Sequence, residues 1–508
     1  MMETIGLAKT EFFEEMRKQG LALAFDDVRL ETDHSEIMPA DVDITSFFSR
    51  GIQLKIPLVS AAMDKVTEHR MAIAMAKLGG LGIIHKNLTP EQQAAEVARV
   101  KYHLHGLIHK PIEVRDTDTI DVILRRREEK WYRFHTFPVI NSEGKLVGIL
   151  TQNDFDFCRD QSLLAATVMT PFSNLVKVDE TDNVDVQRAY EIMMESKKKV
   201  LPVLRNDGTL QGMYVFSDVK RIVSGESSRY NIDNQGRLRV GAAIGVCDDA
   251  LARLEKLVPL QIDVVVIDTA HADSKSVIDT LREIKEQYSS LEVVVGNVSS
   301  PPSVRRLAYA GADGIKVGQG PGSICTTRDV AGIGTPQVTA VYWCSLEAKR
   351  HNIPVCADGG ITHTGDITIA MGAGAYSVML GNKLAGTNEC PGEVLLMEGR
   401  QVKVYRGMGS IGAMKAYRSS RERYRQGDVP AGKLVPEGIE GFVEYKGPVE
   451  MVVHQCVGGL RSGMGYVGAR NVEELIQKAR FLRLTGAGQR ESHPHDLLKI
   501  QPAPNYER

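Results

Sequence analysis

Residues 263–270 read DVVVIDTA and residues 291–298 read LEVVVGNV. Each run is apolar throughout, the mark of a strand covered on both faces. The same character recurs in GIKVG (314–318), IPVCADGG (353–360) and YSVMLGN (376–382), and upstream in IPLVSAAM (56–63) and GGLGIIH (79–85). Helical stretches such as 274–288 and 366–375 lie between them. Strands that alternate with helices imply a parallel sheet with helices on both faces. The later strands end on small or polar residues, Asp268, Asn297, Gly318, Asp358 and Gly381, where an α/β barrel carries its functional groups. A doubly wound sheet also binds ligands at strand ends, but no G-x-G-x-x-G follows a first strand here. The expected architecture is α/β, a (β/α)8 TIM barrel.

Composition sets few limits. The chain has 508 residues, 43% hydrophobic and 25% charged, with a formal net charge of -2. Bulk charge therefore forecasts no nucleic-acid partner. Seven scattered cysteines without a C-x-x-C pair argue against a disulfide framework or a structural zinc site and point to a reducing compartment. The N-terminus has no apolar signal segment and no run reaches membrane-spanning length, so a soluble, cytoplasmic protein is expected.

The chain repeats itself between the early and late strands. Pro138, Gly144, Gly148 and Asp154 recur as Pro202, Gly208, Gly212 and Asp218, and VRDTDTIDV (114–122) recurs as VDETDNVDV (178–186). A constant, gapless step of this kind signals two copies of one unit. Each copy reads strand, helix, strand, turn, strand, helix, with Glu143-Gly144 and Asp207-Gly208 as the turns. The pair resembles tandem CBS domains, the Bateman module. That resemblance implies purine-nucleotide binding in the cleft between copies, with Thr151 and Asp154 as ligands and Asp218 as the second copy's acid. Val215 replaces the threonine there. A purely structural role for the pair is the other reading. The expected division is 1–104 for the first part of the barrel, 105–224 for the inserted module, and 225–508 for the rest with a mobile flap and a C-terminal tail.

The loop GQGPGSICTT (318–327) holds three glycines, a proline and one thiol, Cys325. Glycine and proline exclude a regular element, and packing alone calls for no such loop. A cysteine flanked by open backbone N–H groups is favoured as thiolate, the attacking form. The glycine turns after Asp358 and at Gly381 suit a phosphate, and Asp358 can accept from both hydroxyls of a ribose.

GPGSICTT, GIGTPQ (332–337), CADGGI, VMLGN, YRGMGSIGAM (405–414) and VPEGIEG (435–441), with AFDDVRL (24–30) and PLVSAAMDKVTE (57–68), resemble the inosine-5′-monophosphate (IMP) dehydrogenase family and its sister, GMP reductase. The likeness covers nearly all of the chain after residue 20. It implies that Cys325 attacks C2 of IMP, that NAD accepts the hydride, and that water releases XMP. Met63, Ser323, Gly360, Gly381, Asn382 and Tyr405 would bind substrate with Asp358, and Met408, Gly409 and Glu437 would face the base. Asp268, Thr269, Asn297, Gly318 and Gly320 would serve NAD. A potassium ion would take carbonyls of Gly320, Gly322 and Cys325, with Glu491, Ser492 and His493 from a neighbouring subunit. A homotetramer or octamer is implied.

Both sisters use the cysteine loop. The dehydrogenase must also activate water, and the family does this from a flap with an adjacent Arg-Tyr pair. Here 415–438 holds Arg423-Tyr424, which implies catalytic roles for both, with Thr327 as a proton route. The alternatives are GMP reduction with NADPH and a non-catalytic nucleotide sensor. The second is disfavoured because Cys325, Thr327, Arg423, Tyr424 and Glu437 are all present. Gln319 stands where the family commonly has an apolar residue, and AHADS (270–274) departs from its usual pattern.

Overall fold

The computed structural model describes residues 2–103, 107–108, 111–130, 132, 134–182, 184–496 and 503. The chain divides into two units, 1–97 with 239–508, and 98–238.

In the first unit eight parallel strands close into a barrel. They are β1 (Leu58–Ser60), β2 (Leu81–Ile84), β3 (Gly241–Ile244), β4 (Val264–Asp268), β5 (Glu292–Val298), β6 (Gly314–Val317), β7 (Val355–Asp358) and β8 (Ser377–Leu380). Closure comes from β8 pairing with β1, Val378 opposite Leu58, and the second unit enters between β2 and β3, which pair at Gly241 and Ile83. Alternate strand residues, among them Val59, Leu81, Ile83, Val264, Val266, Val294 and Met379, share one core. Their neighbours, such as Val265 and Ile267, are buried as well, which accounts for the unbroken apolar runs. Helix α1 (Lys275–Gln287) follows β4 and buries Val277, Leu281 and Ile284, an i, i+4, i+7 stripe that fits one helical face. The strand periods and the helix periods therefore agree on one closed architecture.

The second unit repeats in three dimensions as it does in sequence. One four-stranded sheet holds Val114–Arg115, Phe137–Ile140, Leu146–Leu150 and Thr170–Pro171, and the other holds Leu107–Ile108, Val178–Asp179, Val200–Leu204 and Leu210–Val215. Val114 pairs in parallel with Val139, and Val178 with Val203. Pro138 lies opposite Ile149, and Pro202 opposite Met213. The register slips after Val139 in one copy and after Val203 in the other. Lys145 and Thr209, which occupy equivalent positions, bridge each other, and Leu146, Leu204 and Leu210 cluster beside them. A residue that pairs with its own equivalent marks a local two-fold relation between the copies.

The unit is longer than the expected 105–224. Asp233 binds Lys101 at 3.1 Å and Arg237 at 2.8 Å, so connector residues on both sides fold with it. The expected boundary between 104 and 105 lies outside the described residues. No described helix is long and apolar enough to cross a membrane.

Candidate active site

At the C-terminal ends of β4 to β7 the chain assembles a buried charge cluster. Lys316 reaches Asp268 Oδ1 at 3.1 Å and Asp358 Oδ2 at 2.6 Å, and it also bonds Asn297 Oδ1. Asn297 Nδ2 donates to Asp358 Oδ2 at 2.9 Å and to the Gly318 carbonyl at 2.5 Å. Arg423 forms an ion pair with Asp268 Oδ2. Two carboxylates and two cations thus neutralise one another where water is scarce, the condition under which buried charge persists. Lys316 escaped the sequence reading, although a lone cation inside the apolar run GIKVG is a legible signal, because lysine is almost never fully buried without partners.

The cysteine loop follows β6. Gly318 has φ +150°, and a Cβ there would meet the Asp358 carbonyl at 2.0 Å, so only glycine lets the chain leave the strand this close to β7. Cys325 Sγ lies 3.2 Å from Thr327 Oγ1. The expected open N–H groups beside the thiol are in fact taken: Cys325 N donates to Gly322 O at 3.0 Å, and Thr326 N to Glu437 O at 3.1 Å. The loop is a bridge partner of the end of the flap, Cys325 opposite Gly438; a turn within the loop takes the first donor and this pairing takes the second. Cys325 and Thr327 line a cavity of about 290 Å³. Burial pushes the thiols of Cys356 and Cys456 up to about 12 and about 11. Among the seven free thiols, Cys325 is the one that lines this cavity.

The flap is ordered against the barrel instead of standing free. Arg418–Arg423 form a short helix. Ser419 and Ser420 hydroxyls donate to Asn87 Oδ1 at 2.7 and 3.1 Å, and Arg423 finds Asp268. The Tyr424 ring fills the space beside Gly409, where a Cβ would come within 2.6 Å of it, and burial pushes its hydroxyl up. Lys86, buried near Arg423, is pushed down to about 7, first by desolvation and then by the Arg423 charge. A polar, basic sequence suggests mobility; the buried carboxylate supplies the docking point that sequence cannot show.

Met63, Ser323, Asp358, Gly360, Gly381, Asn382, Tyr405, Met408, Arg423 and Tyr424 line the same cavity, as do Asp268, Asn297, Gly318, Gly320 and Gly322. Tyr405 is buried, with its hydroxyl 3.8 Å from Met63 Sδ, and desolvation pushes it well above the usual range. Gly360 (φ +83°) packs on Pro321 and Phe25. Thr269, Gly409 and Glu437 are not among the lining residues. Thr269 caps the Gly296 carbonyl at 3.2 Å, Gly409 makes room for Tyr424, and the Glu437 backbone pairs with the cysteine loop.

Glu491, Ser492 and His493 end a short helix, Gly486–Glu491, and the His493 ring stands 5.5 Å from that of His363. They do not line the cavity. Among the described residues no three His, Cys, Asp or Glu side chains gather into a metal site. In the second unit Thr151 Oγ1 donates to Asp154 Oδ2 at 2.8 Å, capping helix Gln152–Asp156. Asp218 is buried near Ser217 and Arg221.

A thiol loop and an acid-lined mouth on a closed parallel barrel define an enzyme that works at strand ends. Comparison with known proteins gives its class. The family described as "IMP dehydrogenase / GMP reductase domain" matches residues 22–495. Inosine-5′-monophosphate dehydrogenases of Halalkalibacterium halodurans and Bacillus subtilis are each 47% identical, over 97% and 96% of this chain and 99% and 98% of theirs. A solved GMP reductase variant from Trypanosoma brucei, in complex with guanosine 5′-monophosphate, superposes with a TM-score of 0.82 at 40% identity, covering 94% of this chain and 98% of its own. The chain belongs to the IMP dehydrogenase / GMP reductase family.

Proposed function

We propose that this enzyme oxidises IMP to XMP with NAD, through a covalent adduct on Cys325. The observation that carries the reading is one cavity lined by both Cys325 with Thr327 and Arg423 with Tyr424. The first pair suits attack on the purine and the second suits activation of water, a step that reduction of GMP does not need.

The Cys325 thiol gives up its proton as its sulfur bonds C2 of the base. The C2–H bond breaks with its hydrogen leaving as hydride, for which NAD, when bound, would be the acceptor. Water oxygen later replaces the sulfur at C2 and restores the thiol. Asp358, pinned by Lys316 and Asn297, holds the substrate ribose. Ser323, Gly360, Gly381 and Asn382 hold the phosphate with Tyr405, Met63 binds the same nucleotide, and Met408 faces the base. Gly409 and Glu437, which do not line the cavity, frame it through Tyr424 and the cysteine loop. Asp268 is the carboxylate for the ribose of NAD, flanked by Thr269, Asn297, Gly318 and Gly320. In this conformation Arg423 occupies Asp268. The dinucleotide and Arg423 therefore use that carboxylate in turn, which orders the reaction: oxidation first, then docking of the flap and attack of water, with Arg423 and Tyr424 receiving its proton.

The reductase reading has the solved neighbour in its favour, while the curated relatives reported above are dehydrogenases. Absorbance assays decide between them. IMP with NAD yields XMP and NADH, and GMP with NADPH yields no IMP. The opposite pattern overturns the proposal, and silence in both assays leaves a nucleotide sensor.

Carbonyls of Gly320, Gly322 and Cys325, joined by Glu491, Ser492 and His493 of a neighbouring subunit, would hold potassium. Exchanging potassium for sodium or lithium then slows steady turnover, because carbonyl rings select by ion size and field. Equal rates in all three salts remove the ion. A homotetramer, or an octamer of two, is supported by the exposed strand Leu395–Met397, an apolar surface that a partner would cover. Seven free thiols support a cytoplasmic setting.

The unit 98–238 is read as a CBS pair that binds purine nucleotides through Thr151, Asp154 and Asp218. Replacing residues 105–224 by a short glycine linker leaves IMP oxidation in place and removes its response to purine nucleotides. An inactive or insoluble deletion would make the unit part of the catalytic fold.

A further inference from the structure

The Lys316 ammonium is the hinge of the charge cluster. Its side chain is 2% exposed, so water cannot replace it, and it touches both carboxylates at the barrel mouth. The two contacts are unequal, 2.6 Å to Asp358 and 3.1 Å to Asp268. The inequality has a cause in view: Asp268 has a second cation, Arg423, on its other oxygen, and Asp358 has no second cation among the described residues. Asn297 adds a hydrogen bond to the same Asp358 oxygen that Lys316 holds, so that carboxylate is pinned in one orientation. If Arg423 leaves, Asp268, whose side chain is only 4% exposed, keeps Lys316 as its one remaining cation. A buried carboxylate stripped of one partner draws harder on the other. The ammonium then shifts toward Asp268 and loosens its hold on Asp358.

We propose that Lys316 is a positioning residue that couples the grip on the substrate ribose at Asp358 to the docking of Arg423 on Asp268. The inference rests on the ribose assignment made under Proposed function. Its consequence is that the nucleotide is gripped most firmly while the flap is docked, when water must react, and is loosened when the flap leaves.

The test is calorimetric titration of IMP into the full-length protein without dinucleotide, for wild type, Arg423→Ala, Lys316→Met and the double variant. Arg423→Ala weakens IMP binding by about 10-fold, within the usual range of coupling between sites. Lys316→Met weakens it by about 10- to 100-fold, the scale of a lost hydrogen bond to a charged group. The double variant binds no worse than Lys316→Met alone, because the link is already cut. Lys316→Arg keeps the cation and restores both the affinity and its dependence on Arg423. No effect of Arg423→Ala, or single effects that multiply in the double variant, overturns the coupling. If Lys316→Met fails to fold, Asp268→Asn carries the test, because it removes the charge that competes for Lys316. In that background Arg423→Ala leaves IMP affinity unchanged, and a persisting 10-fold loss overturns the proposal. The same titrations with GMP separate the two questions. A chain that binds and turns over GMP refutes the dehydrogenase reading, while the cycle measured with GMP still decides the role of Lys316.

Discussion

Cys325→Ala gives a folded protein that binds IMP and forms no NADH. The backbone of this residue holds the loop, through Gly322 and Gly438, and the substitution leaves those bonds in place. The side chain makes one recorded hydrogen bond, to Thr327 Oγ1 at 3.2 Å, so its loss costs little stability. Chemically the loss is complete, because Thr327, the next hydroxyl, is not activated as a nucleophile and no other thiol lines the cavity. Turnover falls by more than about 10⁴-fold, the scale seen when a nucleophile is removed from an enzyme that forms a covalent intermediate. Two measurements check it: NADH absorbance, and the intact mass of protein mixed with IMP and NAD, which rises for wild type and stays fixed for the variant. NADH formation at the wild-type rate would remove the covalent route.

Arg423→Ala separates the two halves of the reaction. Attack by Cys325 needs the loop and the substrate contacts; the variant keeps the residues that make them, and at saturating IMP the roughly 10-fold weaker binding expected above does not limit this step. With Arg423 absent, the flap no longer competes with the dinucleotide for Asp268, which keeps Lys316 as its partner. A burst of NADH equal to the active sites is therefore expected, followed by slow turnover while the adduct accumulates on Cys325. The steady rate falls by about 10²- to 10⁴-fold, the usual worth of a general base. Stopped-flow absorbance reads the burst and mass spectrometry reads the adduct. A variant with neither would place Arg423 in substrate binding. One with unchanged steady turnover would make it a bystander and reopen the reductase reading.

Local pattern was enough for the barrel. Val264–Asp268 and Glu292–Val298 are apolar on both faces, and that property follows from helices covering the sheet, so it is written into each strand separately. The internal duplication was legible for a similar reason. Each copy must rebuild the same slip after Val139 and Val203 and the same turn at Gly144 and Gly208, and this preserves spacing. The residues that gather at the mouth were found where they end strands or sit among glycines, as Asp268, Asp358 and Cys325 do. Lys316 was missed because it sits mid-strand, and its meaning depends on Asp268, Asn297 and Asp358, which come from three other strands.

The sequence by itself determined the alternating α/β pattern, the doubled unit within it and the cysteine loop, since each rests on composition or spacing along a short stretch; the Arg423-Tyr424 pair was singled out by the family resemblance. Only the tertiary structure decided who neutralises whom: that Lys316 stands between two carboxylates, that Arg423 docks on Asp268, and that the N–H groups beside Cys325 are spent on Gly322 and Glu437. The reason is that ion pairs and loop pairings depend on distance in space, and closing a barrel brings together strand ends far apart in the chain, such as Asp268 and Asp358, which are 90 residues apart.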